Sequence, residues 1–147
     1  MPEKSKSIPV GLATAYEDIG SSLVADFGIE KESHALDGIV INRKINISGE
    51  TIDIASIIES AFEKLATNIL VEIHSHWNIS EFDILLITGG GGQALSSCLL
   101  PQLSHAKLAS DPITANCRGY LTWANRLWNQ GLPQTNGILR FDQGNVE

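Results

Sequence analysis

Cysteine is scarce: the 147-residue chain has two, Cys98 and Cys117. Two thiols cannot build a disulfide scaffold, so a reducing cytoplasm is the expected compartment. Positive charge is also scarce. Ten Lys and Arg stand against 17 Asp and Glu, for a formal net charge of -7. Broad contact with a nucleic-acid backbone needs clustered cations, and the sequence shows no such cluster. Long apolar runs are missing as well. No window approaches the roughly 20 continuous apolar residues of a membrane helix. The first residues carry Lys4 and Lys6 without an apolar stretch behind them, so no secretory signal is read and no membrane is expected as a partner. What remains is ordinary for a globular protein: 43% hydrophobic and 18% charged residues, in a length that suits one domain around one core. No internal repeat or low-complexity segment is present.

Residues 1–10 are polar, contain Pro2 and Pro9, and read as a disordered lead-in. From Leu12 the apolar spacing becomes helical: Leu12, Tyr16, Ile19, Leu23 and Phe27 form one stripe, and Gly28 is a suitable C-cap. Asp18-Ile19-Gly20 and Asp26-Phe27-Gly28 imitate the Asp-x-Gly turns that hold phosphate or metal. Such turns should follow a buried strand, and here both fall within or at the end of a helical pattern. Ile39, Ile41, Ile45 and Ile47 alternate around Asn42-Arg43-Lys44, which predicts a hairpin of two short strands ended by Ser48-Gly49. Helix and hairpin together would make residues 11–49 a peripheral segment.

Residues 54–77 carry the strongest periodicity. Ile54, Ile57, Ile58, Ala61, Phe62, Leu65, Ile69, Leu70, Ile73 and Trp77 share one face of a long helix, and Asp53 is its expected N-cap. This helix is predicted to be core. Phe82 to Thr88 is a short, nearly continuous apolar run, as in a parallel strand covered on both faces. It leads into Gly89-Gly90-Gly91-Gly92, and a helix is expected to resume at Gln93 and run to Pro101. A last helix is expected over residues 112–128, capped by Ser110 or Asp111 and opened by Pro112. Its apolar face holds Ile113, Cys117, Tyr120, Leu121, Ala124, Leu127 and Trp128. Gly131 and Pro133 end it, and residues 132–147 read as a polar tail with an apolar patch at Ile138, Leu139 and Phe141.

Strand, glycine run and helix together make the geometry of a nucleotide site. Four residues without side chains offer a backbone ribbon that a flat ligand can approach closely, and the following helix start offers free N–H groups to phosphate. One alternative is a turn selected for close packing alone. Another is a dinucleotide-binding fold: Gly89-x-Gly91-x-x-Ala94 fits the relaxed fingerprint, and Asp111 lies about 20 residues on, where a ribose-binding acid would sit. Against it, the strand before Asp111 is weak and no further βαβ unit follows. Gly119 lies inside the last helix with Ala115 four residues before it. Small residues at that spacing let another helix cross at close range, with Asn116 and Arg118 flanking the strip. His74 and His76 resemble a metal pair, but on a helix they point about 200° apart, so no metal site is assigned. No Ser-His-Asp or Cys-His arrangement is supported by the spacing, and no catalytic residue is assigned.

The run FDILLITGGGGQAL and the stretch DPITANCRGYLTWANRLW resemble the C-terminal part of actin-like ATPases, in particular the plasmid-segregation ParM/StbA group. The resemblance is clear over residues 50–128 and faint over 11–49. It implies an α/β, ribonuclease H-like second-lobe domain over residues 11–131, with a small, mainly parallel sheet flanked by helices. It also implies that the domain is incomplete, because the phosphate loops of such proteins lie outside the matching stretch. By this resemblance Gly89, Gly90, Gly91 and Gly92, with Gln93, are the adenosine motif. Ala115, Asn116, Arg118 and Gly119 belong to the connecting motif at the inter-lobe hinge. The implied cofactor is ATP or ADP, with Mg²⁺ expected only alongside the other lobe. The implied partners are nucleotide, a further copy or the first lobe, and DNA only through an adaptor. Phosphoryl transfer rests on positioning and charge stabilisation, so hydrolysis by this chain alone is not expected. A non-enzymatic interaction module that binds no nucleotide is the remaining alternative.

Overall fold

A computed structural model describes residues 5–131 of the chain. The first residues of the expected lead-in, and the expected tail with Ile138, Leu139 and Phe141, lie outside the described residues. The elements run α1 (Leu12–Phe27), α2 (Ser33–Asn42), β1 (Lys44–Ile47), β2 (Glu50–Asp53), α3 (Ala55–His76), β3 (Leu85–Ile87), α4 (Gly89–Ala94), α5 (Ser96–Leu99), β4 (Ala106–Leu108) and α6 (Pro112–Gly131).

The core is built from the stripes the periodicity marks. Ala15, Ile19 and Leu23 of α1 are fully buried, and they pack on α3 through Ile58, Ala61 and Leu65. Leu95, Leu99 and Leu103 close the other side. Gly28 caps α1 in the left-handed region at φ 67°, with its N–H donating to Leu23 and Val24 carbonyls. The N-cap of α3 is Ile54 rather than the expected Asp53; the Asp53 side chain, one residue earlier, accepts the Ala55 N–H at 2.8 Å. Both Asp-x-Gly imitations are helical: Asp18 lies on α1 and ion-pairs with Lys64 of α3 at 2.9 Å, and Gly28 is the α1 cap.

The hairpin is displaced from its expected place. Residues 33–42 are helical, and the hairpin is β1 with β2, paired antiparallel from Lys44↔Asp53 to Ile47↔Glu50. Ser48-Gly49 is its turn rather than its end. Both residues have positive φ, 52° and 90°, which is the signature of the tight hairpin turn whose twist matches the strands. Arg43, also left-handed at φ 56°, is the C-cap of α2. The β-branched run Ile39-Val40-Ile41 favours a strand only weakly. Here Leu36 is buried and Ile39 and Val40 pack against the core, and that packing overrides the strand preference. Segment 11–49 therefore supplies core rather than trimming it.

β3 and β4 form a parallel pair, Leu85↔Ala106 to Ile87↔Leu108, separate from the hairpin. One face of β3 turns Leu85 and Ile87 to the core. On the other, Ile84 and Leu86 are 60% and 62% exposed. α6 leaves its apolar face open rather than covering this sheet, and its principal neighbour is α4. No helix among the described residues is long and apolar enough to cross a membrane.

Candidate functional site

The four glycines do not form a loop. They make up the first turn of α4, with Thr88 at the N-cap position. Each has a different reason for lacking a side chain. Gly89 sits at φ 82°, a conformation that costs other residues about 1–2 kcal/mol. At Gly92 a Cβ would stand 2.7 Å from Ile87 Cγ2, so the helix lies against β3 only because nothing projects there. Gly91 faces Leu12 of α1, and a Cβ would meet its Cγ at an ordinary 3.9 Å. Gly90 is exposed, and a Cβ there would meet nothing within 4 Å. Backbone angle thus explains Gly89 and packing explains Gly92, two of the four. Gly90 and Gly91 leave a stretch of backbone without side chains, edged by Leu12. Gln93 is exposed on the next turn.

The second motif is brought to the first. Thr88, the residue before the glycines, donates its hydroxyl to Asn116 Oδ1 of α6 at 2.8 Å. Ala115 is half-buried at the α4 side. Gly119 is exposed, with open space where a Cβ would be. Arg118 reaches back to Asp111 at 3.4 Å. Asp111 immediately precedes α6, and its carboxylate also accepts the Thr114 hydroxyl. That hydroxyl first, and the Arg118 charge with it, hold the Asp111 carboxyl below its ordinary value. Asp111 is occupied as a helix cap, which accounts for an acid at this position without a ribose.

Sequence reasoning missed Thr88 and Leu12. Thr88 reads as the end of a strand and Leu12 as one member of a core stripe. Only the fold shows that one ties the glycine turn to α6 and the other borders it. A groove of about 520 Å³ between α1 and α3, lined by Asp18, Ser21, Ser22, Ser56, Ser60 and Lys64 among others, is a separate feature. His74 and His76 diverge as their spacing requires: His74 Nδ1 hydrogen-bonds to the Leu70 carbonyl and His76 Nδ1 to that of Glu72. Among the described residues no group of three or more His, Cys, Asp or Glu is arranged to hold a metal.

The model of the family described as archaeal actin homologue MreB-like, C-terminal, matches residues 1–100. The chain belongs to this actin-like family. Solved structures agree with it. A non-polymerisable quadruple mutant of pCBH ParM is 25% identical with a TM-score of 0.74, over 86% of this chain and 39% of that one. A 15-stranded ParM filament from Clostridium botulinum is 25% identical with a TM-score of 0.75, over 86% and 38%. The archaeal actin homologue Ta0583 is 18% identical with a TM-score of 0.73, over 86% and 41%, and shows the fold alone. No curated protein matches. The chain thus corresponds to a C-terminal lobe of the actin-like fold and spans about two fifths of the length of these solved chains. Its α/β architecture, with the parallel β3–β4 pair flanked by helices, is that of an incomplete actin-like domain. This takes the place of the dinucleotide-binding alternative.

Proposed function

We propose that this actin-like lobe binds an adenine nucleotide, ATP or ADP, through the α4 turn. Gly89, Gly90, Gly91 and Gly92, with Gln93, form a wall against the adenosine and its nearest phosphate. Ala115, Asn116, Arg118 and Gly119 form the hinge surface toward the first lobe. The observation that carries the reading is Gly90. It occupies a helical position where glycine costs roughly 1 kcal/mol relative to Ala, yet neither its backbone angle nor any neighbour in the chain requires it. A close ligand explains why no side chain projects there.

In a complete two-lobed protein the activity would be ATP-dependent, cytoplasmic filament assembly that segregates plasmid DNA, with the DNA reached through an adaptor. Mg²⁺ would be held with the other lobe, and the proposal assigns no catalytic residue to this chain. The second reading, an interaction module without nucleotide, is favoured by one observation: the open apolar face of α6.

Calorimetric titration separates the readings. ATP should bind the wild-type chain and fail to bind Gly90→Phe, whose bulk points into open space and leaves the fold intact by circular dichroism. Heat from neither ATP nor NAD, with a cooperative thermal transition, would instead support the interaction module.

A further inference from the structure

The glycine turn is held at its two ends by different means. At the far end, the bare Cα of Gly92 lets α4 lie against Ile87 of β3. At the near end the chain leaves β3 extended at Thr88, with φ -135° and ψ 169°. It then turns left-handed at Gly89, φ 82°. A Thr at this position commonly caps its helix by accepting an N–H of the first turn, yet the Thr88 side chain makes no such bond. Its hydroxyl donates instead to Asn116 Oδ1 of α6 at 2.8 Å. Among the described residues no other side-chain hydrogen bond reaches residues 88–92. Gly90, between the two ends, has open space where a Cβ would be. Glycine backbone also has more conformational freedom to lose than that of any other residue. The first half of the turn therefore takes its order from a side chain on another helix.

We propose that Thr88 and Asn116 are positioning residues, whose hydrogen bond orders Gly89 and Gly90 for the ligand of the turn. The inference rests on the adenine-nucleotide reading and deepens it: Asn116, placed above on the hinge surface, also bears on affinity within its own chain. Without the bond the two glycines sample further conformations. The ligand then binds only the fraction of molecules that keeps the turn ordered, and the apparent affinity falls by that fraction.

Three variants of the full chain separate this from a general structural role. Thr88→Val keeps the shape and removes the donor, Asn116→Ala removes the acceptor, and Thr88→Ser keeps the hydroxyl. In ¹⁵N relaxation without nucleotide, the order parameters of Gly89 and Gly90 should fall from about 0.85 toward about 0.6 in the first two variants. Gly92, held against Ile87, should keep its value, and Thr88→Ser should behave as wild type. By calorimetry ATP should bind Thr88→Val and Asn116→Ala each about fivefold more weakly, the equivalent of one ordinary hydrogen bond. The double variant should bind no more weakly than either. Unchanged order parameters at Gly89 and Gly90 in Asn116→Ala overturn the proposal. So does equal loosening of Gly92, which would mean a general loss of packing. A double variant weakened by the product of the two single effects overturns it as well, since the residues would then act independently. A wild-type chain that binds no ATP sinks the nucleotide reading instead, and the relaxation data alone then decide whether Asn116 orders the turn.

Discussion

α3 and α6 are the two long helices of the molecule, 22 and 20 residues, and both are amphipathic. α3 buries its stripe: Ile58, Leu65 and Ala66 are 2% exposed and Ile54, just before it, is fully buried. α6 leaves its stripe in the open, with Tyr120 at 74% and Trp128 at 71%. Both helices carry an apolar stripe, α6 the more sharply segregated of the two. An amphipathic pattern states that a face must be covered; it does not state whether the cover comes from the same chain. For α3 the cover is α1 and α5. For α6 no such cover is present among the described residues.

The sharpest way to break this contrast is truncation at matched leucines. Leu65→Ala should lower stability by about 2–5 kcal/mol, since it opens a cavity in a packed interior. Leu127→Ala should change the stability of the protomer by less than about 0.5 kcal/mol, any further loss depending on protein concentration. Urea unfolding at two concentrations measures both, and a large concentration-independent loss at Leu127 would mean that α6 is covered within the chain.

The glycine turn offers the next largest effect. Gly92→Ala drives a methyl into Ile87 and should cost about 1–3 kcal/mol through overpacking. Gly90→Ala should be neutral or stabilise by up to about 1 kcal/mol, because it restricts the unfolded chain and meets nothing. Thermal unfolding of the two variants side by side tests whether packing accounts for one glycine and not the other.

The smallest effect concerns pH. The Asp111 carboxyl is held below its ordinary value, so the stability it lends to the start of α6 is present above that ordinary value. It is lost as pH falls through the lowered one. Amide exchange in the first turn of α6 should quicken in that acid range while exchange in α3 does not follow it. Asp111→Asn should remove the pH dependence.

The readable parts of the sequence were those where local chemistry and tertiary packing agree. Gly28 closes α1, and Asp53, one residue before the cap position, takes up a free N–H at the start of α3, because each satisfies nearby backbone groups. Segment 33–42 was not readable. Ile39, Val40 and Ile41 carry strand propensity of under about 1 kcal/mol, which contact with the core outweighs. The hairpin therefore shifts to 44–53, and Ser48-Gly49 becomes its turn. The site was half legible. The glycines stood out, yet their being the first turn of α4 depends on the clearance at Ile87, which no local pattern encodes. The tie from Thr88 to Asn116 joins residues 28 apart in the chain, a separation at which single-sequence patterns are silent.

That tie has a mechanical consequence. Thr88 is anchored at the end of β3, while Asn116 belongs to α6. An exposed hydrogen bond of about 1 kcal/mol therefore adds a directional tie to the packing of α6 on α4. It works as a clasp, joining the last residue before the glycine turn to the side of α6 that carries Asn116.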